Sequence, residues 1–127
     1  MRELLAVALG GAVGAVARYG LTGVMHRTFP GPFPVGTLTV NIVGGLIVGF
    51  LSGVLVARDG GADHALRLFL VVGVCGGFTT FSAFSLETVR LMEAGATASA
   101  WLSVTAQVVG AVLATALGLW AARALGQ

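Results

Sequence analysis

The residues best suited to chemistry lie in the third of four apolar stretches of this 127-residue chain. Phe78, Phe81 and Phe84 recur there at every third position, a stripe that by itself would indicate packing or lipid contact. Polar residues interleave with the rings, however: Thr80, Ser82, Ser85, Glu87 and Thr88. Aromatic edges are positive and hydroxyls donate hydrogen bonds, so both attract an anion without a formal charge. The pattern favours a path that binds a small, strongly hydrated anion weakly enough to release it.

Two further polar residues interrupt the first and second apolar stretches. Arg18 lies inside the first, where a charge costs at least ~2.5 kcal/mol and should therefore face protein or water; snorkelling to the interface is the alternative. Asn41 lies inside the second, and Thr37 precedes it by one helical turn on the same face. An interhelical hydrogen bond would explain Asn41 alone, whereas the pair extends a polar line along the helix.

Paired glycines in the third stretch predict a helix that is broken near its middle. Gly76 and Gly77 are weak helix formers, and Thr79 and Thr80 compete for backbone partners directly after them. Backbone carbonyls freed inside a membrane are tolerated only when they are buried in protein or bind an ion. Carbonyl oxygens without carboxylates suit Na⁺ better than Ca²⁺ or Mg²⁺, so we expect a structural Na⁺ where two such breaks meet.

The elements that must position these residues are membrane-spanning helices. The chain is 57% hydrophobic and 9% charged, too few polar residues to cover a soluble domain of this size. Spanning about 30 Å of hydrocarbon takes roughly 20 helical residues, and four segments meet that length. We predict an all-α integral membrane protein with a single domain over residues 1–127 and helices at about 4–25, 36–57, 66–92 and 97–125. We place it in the cell (inner) membrane as a multi-pass protein.

Glycines at four-residue intervals predict close contacts between these helices. Gly10 and Gly14 in the first helix, and Gly45, Gly49 and Gly53 in the second, follow the small-xxx-small pattern. Short linkers make consecutive helices antiparallel neighbours.

The arginines give little indication of orientation. All seven basic residues are Arg and form no run or patch that would bind nucleic acid. By the predicted topology, four lie on the side of the termini and two on the other: Arg2, Arg58, Arg67 and Arg123 against Arg27 and Arg90. This bias is slim under the positive-inside rule. Such a chain can insert both ways round, as an antiparallel homodimer requires.

Three motifs, in this order, resemble those of the CrcB/Fluc family of fluoride channels. They are the Gly-rich run that ends in Ala17-Arg18-Tyr19, the segment 36–44 around Asn41, and the segment 76–84. The resemblance covers the whole chain in length, helix count and motif order. It implies a passive fluoride channel rather than an enzyme, working as an antiparallel homodimer with two pores, each built from both subunits.

The resemblance also implies residue roles. Asn41, Phe81 and Phe84 match the pore asparagine and phenylalanines of the family, and Gly76 and Thr79 match the residues whose backbone carbonyls bind a structural Na⁺ at the dimer centre. The other candidate pore residues are Arg18, Thr37, Thr80, Ser82, Glu87 and Thr115.

Three positions depart from the family pattern: Ala83, where relatives commonly carry Thr, Ala111, where Ser is common, and Gln107, where Asn is frequent. The first two changes remove hydroxyls from or near the polar track, which bears on conduction rate more than on selectivity.

Two other functions remain open. A small multidrug-type exporter is also a four-helix antiparallel dimer, but it needs an acidic residue in its first helix, where this chain has Arg18. A membrane assembly subunit would not need Asn41 or the polar face of the third helix. The sequence shows no Ser-His-Asp set, metal-ligand cluster or phosphate loop, which disfavours an enzyme.

Overall fold

The computed structural model describes residues 1–57 and 64–126, which form six α-helices and one π-helical segment. The segment Leu68–Cys75 is the π-helix. The α-helices are α1 (Arg2–Thr28), α2 (Val35–Ala57), α3 (His64–Arg67), α4 (Gly76–Phe78), α5 (Phe81–Glu93) and α6 (Thr97–Leu125).

Four stretches within the described residues are long and apolar enough to cross a membrane: Arg2–Thr28, Val35–Leu55, His64–Glu93 and Thr97–Leu125. The prediction of an all-α, multi-pass membrane protein with four spans is confirmed. The first span runs a few residues beyond the predicted limits at both ends. Most of the predicted second loop lies outside the described residues, and His64 already belongs to α3.

Proline and glycine define the two connections that the structure describes. Phe29 leaves the helical region at φ −126° and ψ 73°, directly before Pro30, because a residue that precedes proline disfavours the helical conformation. Gly95 connects α5 to α6 with a φ of +74°, a left-handed conformation that favours glycine. Ala96 N–H donates to Leu91 O (2.9 Å) and Gly95 N–H to Met92 O (3.0 Å), the bonding of a Schellman turn.

The predicted glycine contacts are confirmed. Gly49 packs on the backbone of Thr115, and Gly45 on that of Ala111, so that α2 and α6 lie backbone against backbone. Gly10 and Gly14 bring α1 equally close to the third span. No Cβ would fit at these four glycines without a shift of the neighbouring backbone, which explains why glycine occupies them.

The third span is interrupted, but not at the glycines. We predicted non-helical backbone from Gly76 onward, and this is wrong for Gly76 and Gly77, which are both helical. Extended backbone occurs at Thr79 (φ −78°, ψ 159°) and Thr80 (φ −152°, ψ 116°). Gly77 instead packs against the backbone of Gly11. The threonine hydroxyls pair with backbone on both sides of the interruption: Thr79 Oγ1 donates to Cys75 O, and Thr80 Oγ1 accepts from Ala83 N–H as the N-cap of α5.

Candidate functional site

A cavity of about 320 Å³ lies beside the interruption. Three helices and the extended threonines contribute to its wall; its lining includes Asn41, Thr80, Phe81, Phe84, Gln107 and Ala111. The structure therefore brings four of the sequence-predicted pore residues together, although they come from different parts of the chain. The cavity lies near the centre of the third span, since Thr79 and Thr80 are about equally far from His64 and Glu93.

The two aromatic rings that line this cavity meet edge to face. The centroids of Phe81 and Phe84 are 5.2 Å apart, with an interplanar angle of 62°. Phe84 is 8% exposed, whereas Phe81 is 76% exposed. One ring is thus fixed inside the bundle, while the other leaves much of its surface uncovered by its own chain.

Asn41 uses its whole amide group on protein partners. Its Oδ1 accepts from Thr80 N–H (2.9 Å), and its Nδ2 donates to Thr80 O (3.0 Å) and to Gln107 Oε1 (2.7 Å). An Asn inside a bilayer needs such partners because lipid offers none. They were not foreseeable in detail, since Thr80 lies 39 residues and Gln107 66 residues along the chain.

Gln107 is a buried residue of this site. From the sequence we had noted it only as a departure from the family pattern. It is 4% exposed, and its Nε2 donates to Ser103 Oγ (3.3 Å), which is fully buried. The available signal was the spacing: Ser103 and Gln107 are four residues apart and therefore share one face of α6.

A second polar pair continues the site along α2 and α5. Thr37, 3% exposed, donates from its hydroxyl to Glu87 Oε1 (2.8 Å). The other oxygen, Oε2, is buried and has no hydrogen-bond partner within the described residues. Glu87 also lines a second cavity of about 350 Å³, whose wall includes His26, Phe33 and Arg90. Thr37 and Glu87 thus extend the polar line from Asn41 and Phe84 toward the α1–α2 connection.

The remaining predicted residues lie at the edge of this arrangement or outside it. Ser82 is exposed, with its Oγ 3.3 Å from Thr80 Oγ1. Thr115 donates from its hydroxyl to Ala111 O (2.9 Å), one turn back on its own helix. Arg18 is not among the residues that line either cavity; its Nε donates to Gly77 O (3.1 Å). The guanidinium therefore lies against neighbouring backbone near the end of α4, as the small residues around it allow.

These features define a small multi-pass membrane protein with a cavity at an interrupted helix, an arrangement that membrane proteins use for ion sites. The chain belongs to the CrcB family. Residues 5–119 match the family model described as "CrcB-like protein, Camphor Resistance (CrcB)".

Curated relatives match the chain along nearly its whole length. A protein of Hyphomonas neptunium is 48% identical over 97% of this chain and 97% of its own. One of Caulobacter sp. strain K31 is 50% identical over 97% and 96%, and one of Mesorhizobium japonicum is 47% identical over 98% and 99%. All three bear the name "Fluoride-specific ion channel FluC".

Proposed function

We propose that this protein is a fluoride-selective channel through which fluoride leaves the cell passively. The observation that carries the proposal is the cavity at the interruption, where Phe81, Phe84 and the start of α5 come together inside a membrane span. The names of the relatives support the same ion, and they are names of ion channels rather than of enzymes.

The chemistry of this cavity suits a small anion. Because α5 begins at Phe81, the positive end of its macrodipole and its first backbone N–H groups lie at the interruption. Edges of aromatic rings add weak positive potential without trapping the ion as an arginine would. A channel needs binding of this moderate strength, because an ion that is held tightly does not leave.

A second copy of the chain completes the pore in this proposal. Phe81 lines the cavity and yet is 76% exposed, so the cavity lacks a wall on that side in the single chain. We propose an antiparallel homodimer with two pores, in which the partner covers Phe81. The nearly balanced arginines fit a chain that inserts in both orientations.

We further propose that the backbone carbonyls of Gly76 and Thr79 hold a structural Na⁺ between the two subunits. Three observations support the fit. Thr80 N–H, the ordinary helical partner of Gly76 O, donates to Asn41 instead, and the extended conformation of Thr79 takes its carbonyl out of the helix. Gly76 is exposed, and a Cβ there would meet nothing within 4 Å. Bound Na⁺ would place fixed positive charge near the pores.

The experiment that tests the channel is ion efflux from liposomes that contain the purified protein. We expect rapid release of fluoride and none of chloride under the same gradient. Equal release of both ions, or release of neither, would contradict a fluoride channel. Replacing Na⁺ with a large organic cation on both sides should abolish flux or dissociate the dimer; undiminished flux after exhaustive exchange would exclude the sodium site.

Labelling from the two sides of the membrane tests the antiparallel dimer. Ala94 is exposed in the α5–α6 turn, so A94C in a C75A background presents one reactive thiol per chain. An impermeant maleimide added outside sealed vesicles should modify about half of the chains. Labelling of all or none of the chains would contradict the antiparallel arrangement, as would a monomer that conducts in mild detergent.

The multidrug-type exporter is the weaker function. Its proton-coupling carboxylate has no counterpart in the middle of α1, where the charged residue is Arg18. Arg18 is a permanent cation that donates to Gly77 O, so it cannot replace the carboxylate that couples protons to a cationic substrate.

A further inference from the structure

The interruption of the third span needs partners for its backbone, and one side chain supplies two of them. Thr80 is extended, so its N–H and C=O point to the same side, as they do in a β-strand. Asn41 meets both: its Oδ1 accepts from the N–H at 2.9 Å and its Nδ2 donates to the C=O at 3.0 Å. Left unpaired within a bilayer, each of these groups would carry a large desolvation penalty.

This double contact fixes which way the Asn41 amide points. The backbone N–H can only donate and the backbone C=O can only accept, so the oxygen of Asn41 must face the first and its nitrogen the second. The second N–H of Nδ2 is then directed to Gln107 Oε1 at 2.7 Å. Gln107 must in turn present its own nitrogen to Ser103 Oγ, at 3.3 Å. Each orientation follows from the one before.

We infer that Gln107 is a positioning residue that, together with Ser103, holds the Asn41 amide closed on the Thr80 peptide. Gln107 and Ser103 are 4% and 0% exposed, so water does not readily replace either partner. We call Asn41, Gln107 and Ser103 the amide clasp.

With the clasp closed, Asn41 supports the backbone of Thr80 and does not act as an ion ligand. Both of its N–H donors are used while the clasp is closed, so Asn41 offers none to an anion in the cavity. This consequence for fluoride rests on the proposed function, whereas the clasp itself does not.

Amide hydrogen exchange at Thr80, measured by NMR in lipid nanodiscs without fluoride, tests the clasp separately from transport. Gln107→Leu keeps the approximate volume but removes the acceptor for Asn41, and we expect Thr80 to exchange about tenfold faster, the effect of weakening one hydrogen bond. Gln107→Glu keeps an acceptor oxygen, and the Ser103 hydroxyl can turn to donate to the other. It should stay within about threefold of the wild-type rate.

A reference amide and a control variant make the result specific. Thr79 N–H donates to Cys75 O in the helical turn before the interruption, so its exchange should change much less than that of Thr80. Thr105→Val, an exposed substitution on the same helix, should change neither amide. Ser103→Ala, a smaller lesion in case Gln107→Leu does not fold, should speed Thr80 exchange about threefold.

The inference is overturned if Thr80 exchanges at the wild-type rate in Gln107→Leu or, should that variant not fold, in Ser103→Ala. It is also overturned if Gln107→Glu exchanges as fast as Gln107→Leu, or if Thr79 and Thr80 speed up together, since general loosening of the bundle would give that pattern.

Discussion

Two regions of the molecule solve the problem of placing polar backbone in a membrane in different ways. In the glycine seam, which consists of Gly45, Gly49 and Gly53 on α2 and Gly118 on α6, two uninterrupted helices bond internally and pack backbone against backbone. At the interruption the backbone leaves the helix, and side chains of α1 and α2 supply partners. The seam joins helices without side-chain chemistry. The interruption opens a cavity but depends on individual distant residues.

Loss of the Asn41 side-chain amide should affect the interruption most. Asn41→Leu has similar volume and leaves Thr80 N–H and Thr80 O without their partners, at about 1–3 kcal/mol each. The lost hydrogen bonds destabilise the conducting conformation, so fluoride efflux per reconstituted protein should drop about a hundredfold or more. Liposome efflux measures this directly.

The control for Asn41→Leu is Ile47→Leu, an exposed and conservative change on the same helix, which should conduct normally. Near-normal flux in Asn41→Leu would show that the interruption holds without the amide. The contrast between the two regions would then fail.

Removal of an aromatic edge should have the next largest effect. Phe81→Ile and Phe84→Ile keep apolar bulk but remove the positive ring edge. We expect fluoride flux to fall by about tenfold or more, and each tenfold decrease corresponds to a barrier that is higher by ~1.4 kcal/mol. Size-exclusion chromatography should show that both variants still assemble. Unchanged flux in both variants would mean that the phenylalanines only pack. The cavity would then, like the seam, contribute packing and not ion binding.

The seam should respond in the opposite way, with a loss of stability rather than of conduction. A Cβ at Gly49 would overlap the backbone of Thr115, so Gly49→Ala should lower the free energy of unfolding by about 2 kcal/mol. Gly20→Ala is the matched control, because Gly20 is exposed and a Cβ there meets nothing within 4 Å. Thermal unfolding in detergent measures both variants.

Flux per folded Gly49→Ala protein should stay within about threefold of the wild type, because Gly49 is not among the residues that line the cavity at the interruption. If conduction falls as steeply as in Asn41→Leu, the two regions are coupled and do not act separately.

The contrast also explains how much the sequence could predict. Local periodicity determines the four spans and the glycine contacts, because length, hydropathy and four-residue spacing are properties of a single segment. The same holds for the aromatic stripe and for the Thr37–Asn41 face. The π-helix at Leu68–Cys75 does not follow from these local patterns.

The position of the interruption could not be predicted from the sequence around it. Gly76 and Gly77 are the weaker helix formers, yet the helix ends at Thr79 because Asn41, far away in sequence, binds the peptide of Thr80. Gln107 was recognised only as a departure for the same reason: its partner Asn41 lies 66 residues away. Pairings between distant segments require the fold.

The smallest expected effect comes from adding a hydroxyl to the wall of the cavity. Ala111 lines the cavity and is half-buried, whereas Thr115, one turn further along α6, donates its hydroxyl to Ala111 O and so offers no free donor. Ala111→Ser would supply a donor beside the rings, and we expect fluoride flux to rise about two- to threefold, the effect of one weak hydrogen bond. Selectivity over chloride should not change, because Phe81 and Phe84, whose ring edges line the cavity, are unaltered. Ala116→Ser, exposed on the same helix, is the control and should conduct as the wild type does.

A decrease in Ala111→Ser would show that the serine hydroxyl bonds back to its own helix, as Thr115 does, and narrows the cavity without helping the ion. An unchanged rate would show that the interruption alone limits the flux and that a hydroxyl at this position does not contribute.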